Sequence, residues 1–425
     1  MNGRGPLAGA PARVDVGSPA GGGDGARAGA VAAVPGNDGG RSAHAPPAGL
    51  RHHGQPPGTS GPASAVPALA GVLDADEVRA SAAAIAAVQR PDGMIPWFPG
   101  GHSDPWNHVE AAMALDVAGL EDAATAAYRW LVARQLPEGG WFNYYHWDGS
   151  VEDQRVDTNV CAYVATGAWH RFLLRGDRGA LQELWPAIDR AIRFVLRWQQ
   201  PDGTVRWSVD PDGRPGRFAL LTGSSSILHS LRCAVACAEE LGHERPDWEL
   251  AAGRLAHAVA HRPGAFEPKG EFAMDWYYPV ISGALTGDRA VAHLQAGWDT
   301  FVMEGLGVRC VSTGPWVTAA ETAECAIALD AAGRRGLAAA VLTWAQAHRQ
   351  ADGSYLTGIV YPEQSTFPVD QTSTYTAAAV VLAVDAVSRT SPASGIFRGE
   401  HLPAAVDLDE APLGLTARSV PEPGR

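Results

Sequence analysis

Six stretches of this chain open on a polar or aromatic cluster and then run almost without charge. They begin at His108-Val-Glu-Ala-Ala-Met-Ala-Leu, Asp157-Thr-Asn-Val-Cys-Ala-Tyr-Val, Thr222-Gly-Ser-Ser-Ser-Ile-Leu, Trp276-Tyr-Tyr-Pro-Val-Ile, Thr318-Ala-Ala-Glu-Thr-Ala-Glu-Cys and Thr372-Ser-Thr-Tyr-Thr-Ala-Ala-Ala. A helix that is apolar on nearly every side has to be buried. Between them lie six more charged, amphipathic stretches at 74–89, 121–135, 179–200, 248–261, 288–298 and 333–350. Buried and surface helices thus alternate six times, which predicts an all-α fold, an (α/α)6 barrel of six helical hairpins. Its working surface would be the mouth where the inner helices begin.

Several outer stretches end alike. Gln89-Arg-Pro-Asp-Gly93, Gln135-Leu-Pro-Glu-Gly139, Gln199-Gln-Pro-Asp-Gly203 and Gln350-Ala-Asp-Gly353 each place a glycine where the helix must stop. An aromatic residue follows each time: Trp97, Trp141, Trp207 and Tyr355. The simplest reading is structural, with the glycine making the turn and the ring packing on the next hairpin.

Composition narrows the picture. Hydrophobic residues are 46% of the 425, with 14 Trp, 10 Phe and 9 Tyr, enough for one large core. A formal charge of -13 argues against a nucleic-acid partner, and no apolar run is long enough to span a membrane. Residues 1–65 are rich in Gly, Ala and Pro and read as a disordered extension; 66–394 form the barrel, and 395–425 a tail. Cys161, Cys233, Cys237, Cys310 and Cys325 make no CxxC pair, and no secretory leader is evident, so a reduced, cytoplasmic setting is expected.

The densest polar run is Ile95-Pro-Trp-Phe-Pro-Gly-Gly-His-Ser-Asp104-Pro-Trp-Asn-His-Val-Glu110. It offers Trp97, His102, Asp104, Trp106, Asn107 and His108 at the start of the first inner helix. Asp before Pro is a good helix cap, yet a carboxylate between tryptophans is also open to a perturbed pKa. Glu110, further inside, reads equally well as a fixer of a neighbouring ring. A second cluster, Asn143 to Asn159, supplies Tyr144, Tyr145, Asp153 and Asp157, an acidic and aromatic set suited to hydroxyl-rich ligands. Later inner helices add Trp276, Tyr277, Trp316 and Asp370. Glu321 stands near the start of an inner helix among Ala, Thr and Cys, where it either faces the mouth or is a costly buried charge. Glu324, a turn deeper, reads as its structural partner.

Two carboxyls in separate environments, one protonated and one ionised, are what glycoside hydrolysis needs, and a gap of roughly 6.5–9.5 Å between them gives inversion. Asp104 and Glu321 are the candidate pair, with an oligo- or polysaccharide as partner. No cofactor is called for: GxGxxG, Walker A and HExxH are absent, and His102, His108 and His146 match no zinc spacing. Gly223-Ser-Ser-Ser226 lacks the strand-turn-helix setting of a nucleophile elbow and reads as a helix start.

Gln135-Leu-Pro-Glu-Gly-Gly-Trp141 resembles the QW repeat of terpenoid cyclases, but neither a DxDD acid motif nor a prenyltransferase zinc set accompanies it. The run from Ile95 to Leu115 resembles actinobacterial toroid proteins that include the mycobacterial methylmannose polysaccharide hydrolases, a likeness covering about residues 70–390. That resemblance implies an endo-α-mannanase acting on partly O-methylated α-1,4-mannan. By analogy with inverting barrel glycosidases it makes Asp104 the general acid and Glu321 the general base. The competing expectations are a terpenoid cyclase or prenyltransferase-like enzyme, and a glycan-binding toroid without catalysis.

Overall fold

The computed structural model describes residues 65–404. The extension expected before residue 65, and the part of the tail beyond 404, lie outside the described residues. Outer helices α1 (Ala75–Val88), α3 (Glu121–Arg134), α6 (Arg178–Leu196), α8 (Pro246–His261), α10 (Gly287–Phe301) and α12 (Arg335–Ala345) alternate with an inner set. The inner set is α2 (Pro105–Val117), α4 (Thr158–Ala162) continued by α5 (Val164–Arg175), α7 (Leu221–Leu241), α9 (Ala273–Ile281), α11 (Ala319–Ala331) and α13 (Thr374–Ser388). Each inner helix touches the next, and α13 packs on α2, so the ring closes as an (α/α)6 toroid. The inner helices are buried nearly all round, as their lack of charge demands: in α13 every residue but Tyr375 and Ser388 is buried. Among the described residues no helix is long and apolar enough to cross a membrane.

The Gln-to-Gly punctuation is the seam between outer helices. Gln89 Nε2 donates to the carbonyls of Gly93 (3.0 Å) and Ala123 (2.9 Å), the latter on α3. Gln135 does the same to Gly139 and to Ala187 on α6, and Gln199 to Gly203 and to Ala251 on α8. The fourth copy differs. Its turn is the same, with Gln350 N–H donating to the Ser354 carbonyl, but Arg349 stands where the others have Gln. Arg349 pairs with Glu77 at 3.5 Å, and Gly353 packs on Ala80, so this copy closes α12 onto α1. Of the following aromatics, Trp141 and Tyr355 are fully buried, as the structural reading expects, whereas Trp97 and Trp207 turn into the mouth.

The two ends of the toroid are unlike. Inner-to-outer connections are tight turns, such as 118–120 and 332–334, while outer-to-inner connections are long and carry short strands that helical periodicity does not announce. These are β1 (Tyr144–Tyr145) with β2 (Val151–Asp153), β3 (Val156–Asp157) with β4 (Ser208–Val209), and an antiparallel meander. The meander runs β5 (Val302–Met303), β6 (Gly307–Arg309), β7 (Trp316–Thr318), β8 (Gly358–Val360) and β9 (Ser365–Thr366). At the tight-turn end the chain folds back. Residues 395–404, assigned to a tail by composition, pack on the barrel instead. Ile396 and Phe397 are buried, Phe397 stacks on His229 at 5.0 Å, and Arg398 pairs with buried Asp330 at 2.6 Å. The barrel therefore extends past the boundary expected at 394, because these apolar side chains cover the base of the inner ring.

Candidate active site

The long connections surround a cavity of about 610 Å³ at the inner-helix N-termini. Asp104 and Glu321 both border it. They come from α2 and α11, which are separated in the ring by α13 alone rather than set directly across it.

Asp104 caps α2. Its Oδ1 accepts from the backbone N–H groups of Trp106 (2.9 Å) and Asn107 (3.1 Å). Its Oδ2 accepts from the Trp97 indole (2.6 Å) and the Asn107 amide (2.7 Å). Cap and candidate acid are the same carboxyl. Burial raises its pKa above the usual aspartate value, while the four donors pull the other way. Glu321 lies in the first turn of α11, where the hydroxyl of Thr318 donates to its carboxylate.

Of the other residues singled out in the sequence, Trp97, Trp106, Asn107, Tyr144, Asp157 and Trp316 line the cavity. Asp157 caps α4 through Oδ1, and burial lifts it to about 6. The rest do not line it. His108 is turned outward: Nδ1 accepts from the Ile95 N–H and Nε2 meets the Ala127 carbonyl on α3, with burial holding its pKa down at about 4. Tyr145 is buried under the β1 loop, its hydroxyl accepting from the Phe142 N–H. Trp276 faces α10, donating to the His293 carbonyl and stacking on Phe301. Tyr277 lies behind the wall, bonded to Glu324. His102 packs behind Trp97 (centroids 4.5 Å apart) and pairs with Glu152 on the rim. Asp153 clasps Arg155, and Arg155 reaches the cavity in its place. Asp370 sits in an exposed turn at φ 52°, accepting from Thr366, because its loop carries it away from the mouth.

The cavity adds groups not singled out as site residues: Glu110, Glu324, Asn143, Arg155, Trp207, Lys269, Asp275 and Tyr375. Register β3–β4 pairs Val156 with Val209 and brings Arg155 to 5.5 Å over Trp207, whose other neighbour is Phe218, stacked at 5.6 Å. Asp275 accepts from the N–H and hydroxyl of Thr222, tying the start of α7 to α9. Trp207 follows the third seam glycine, Asp275 precedes a candidate by one residue and Arg155 lies within the run from Asn143 to Asn159, so each had a sequence cue; Lys269 had none.

The structure is thus a closed (α/α)6 toroid around a carboxyl-bearing, aromatic-walled cavity. Solved structures of the same fold include a glycosidase (18% identity, TM-score 0.59, 74% of this chain and 97% of that one) and a sugar epimerase from a ruminal bacterium (10%, 0.56, 74% and 98%). No family model matches the chain. It is 49% identical over 345 residues to the MMP endo-(1,4)-3-O-methyl-alpha-D-mannosidase of Mycolicibacterium hassiacum, covering 81% of this chain and 95% of that protein. The chain belongs to that family of glycoside hydrolases.

Proposed function

We propose that the protein is an endo-acting α-mannosidase that cleaves O-methylated α-1,4-mannan with inversion. Asp104 serves as general acid and Glu321 as general base. The observation that carries this reading is the convergence of the two carboxyls on one aromatic-walled cavity. Burial favours a proton on Asp104. When that proton passes to the leaving oxygen, four donors already in place receive the new carboxylate, an interaction that strengthens toward the transition state. Glu321, opposite in role, draws a proton from the attacking water. Methyl ethers suit the walls, since each removes a donor and adds apolar surface for Trp97, Trp106, Trp207 and Trp316 to cover. Five free cysteines support a reducing, cytoplasmic setting.

Incubation with methylated α-1,4-oligomannosides, followed by proton NMR, tests both parts. Internal cleavage with the β-anomer released first is expected. An α-anomer appearing first would remove inversion, and binding without new reducing ends would favour a glycan-binding toroid. Trp207 supplies one sugar platform: Trp207→Ala is expected to raise KM about tenfold with kcat nearly unchanged, a loss of ground-state and transition-state contact alike. Steady-state kinetics on the same oligosaccharides would show a fall in kcat instead if the ring has a chemical role.

A further inference from the structure

Two carboxyls of the cavity floor take no part in the reaction proposed above. Glu110 on α2 and Glu324 on α11 both border the cavity, and both also border a second, smaller space of about 20 Å³ further inside the ring. They are the partition between the two. The inner space is also bordered by Tyr163, Ser225, Ser226 and His229. The hydroxyls of Ser225 and Ser226 are buried and have no protein partner. A space of that size holds one water, and such hydroxyls are partners it can use.

The donors around the pair are phenols and an indole rather than cations. Glu110 Oε1 accepts from the Tyr163 hydroxyl (3.0 Å) and the Trp106 indole (3.2 Å). Glu324 accepts from Tyr278 (2.7 Å) and from Tyr277. No hydrogen bond from the described residues reaches Glu110 Oε2, which is left for the cavity. The charges acting on the two are other carboxylates: Asp104 on Glu110, and Glu110 and Glu321 on Glu324. Burial first, and this repulsion second, lift Glu110 to about 7 and Glu324 well above the usual range. Of the other elements packed here, α7 presents His229, which burial holds down at about 4 and hence neutral, and α9 presents its two tyrosines. The α4–α5 junction gives Tyr163, and α13 gives Ala379 and Leu382.

We propose that Glu110, backed by Glu324, forms a proton-bearing floor whose unpartnered Oε2 recognises an acceptor-only oxygen of the bound glycan, a methyl-ether oxygen above all. An ionised carboxylate can only accept and would repel such an oxygen; a neutral carboxyl has an O–H to donate. A free sugar hydroxyl is served by either form, because it can itself donate. The floor thus discriminates between methylated and unmethylated mannose by its proton, which stays on the enzyme throughout. This rests on the reading of the cavity as a site for methylated sugars.

The test uses sulfur-linked, non-hydrolysable α-1,4-oligomannosides, one 3-O-methylated and one not, titrated calorimetrically into the full-length protein at pH 6 and pH 8. A group titrating near 7 is mostly protonated at the first and mostly ionised at the second. Affinity for the methylated ligand is expected to fall about tenfold across that interval and affinity for the unmethylated one by less than about twofold. Glu110→Gln keeps an N–H donor but cannot titrate, so its affinity for the methylated ligand should be flat with pH. That comparison also separates Glu110 from Asp157, which titrates near 6 on the cavity wall. A wild-type preference that does not change with pH, or a Glu110→Gln protein as pH-sensitive as wild type, overturns the proposal. Should the methylated ligand bind as expected while its oxygen-linked counterpart is never cleaved, the hydrolase reading falls and the floor stands. Absence of binding to both ligands sinks the two together.

Discussion

Asp104→Asn and Glu321→Gln are each expected to lower kcat on methylated oligomannosides by about a thousandfold or more, within the range that loss of a positioned acid or base produces. The two should then part company on a substrate whose leaving group needs no proton. An α-mannosyl fluoride expels fluoride unaided, so Asp104→Asn is expected to recover much of its rate on it, while Glu321→Gln, lacking the group that activates water, is not. This pattern assigns the roles without relying on the distance between the carboxyls. Asp104 also caps α2, and an Asn turns one amide N–H toward the donors on Trp97 and Asn107. The fold should therefore weaken by about 1–2 kcal/mol, the usual consequence of a mismatched buried hydrogen bond. Thermal unfolding of the variant distinguishes that loss from the kinetic one. Turnover near the wild-type rate in both variants would take the pair out of the mechanism.

The ring of hairpins is legible in the sequence because burial leaves a strong mark there. Helices such as α13, apolar on every side, have only one place to go. Asp104 and Glu321 are legible because charge at the start of such a helix has to be capped, solvated or functional. The facing of neighbouring residues is harder to read from a cluster, since one residue along a helix is a rotation of about 100°. Asn107 thus looks into the cavity and His108 into α3; Asp275 looks in and Trp276 looks at α10. Applying the i, i+3 rule to the two anchors would have found the floor: Asp104, Asn107 and Glu110 share one stripe, and Glu321 and Glu324 another. The loop residues had no such period. Arg155 is held locally by its bond to Asp153, but it reaches the cavity beside the β3–β4 pairing, a contact between segments some fifty residues apart that no local pattern announces.

Gly139→Ala is expected to destabilise the barrel by at least about 3 kcal/mol, roughly 4 °C or more in melting temperature for a domain of this size. Two separate costs combine. The residue has φ 106°, in the region that L side chains rarely adopt, at about 1–3 kcal/mol. Its added Cβ would also stand 2.2 Å from the Arg190 carbonyl oxygen, and that oxygen belongs to α6, an outer helix that cannot withdraw without opening the seam. Gly93 and Gly203 repeat the arrangement, with the Cβ 2.2 Å from the Ala126 carbonyl oxygen and 2.4 Å from that of Arg254, so the close approach is the rule by which one hairpin is set against the next. Gly213 separates the two costs. It has φ 81° but open space around the Cβ position, so Gly213→Ala should lose only about 1 kcal/mol. Denaturant melts of the two variants side by side measure the difference, and equal losses would mean that the glycine is there for its backbone angle alone. A much larger loss at Gly139 identifies the close approach of this turn to α6 as the contact that sets one hairpin against the next.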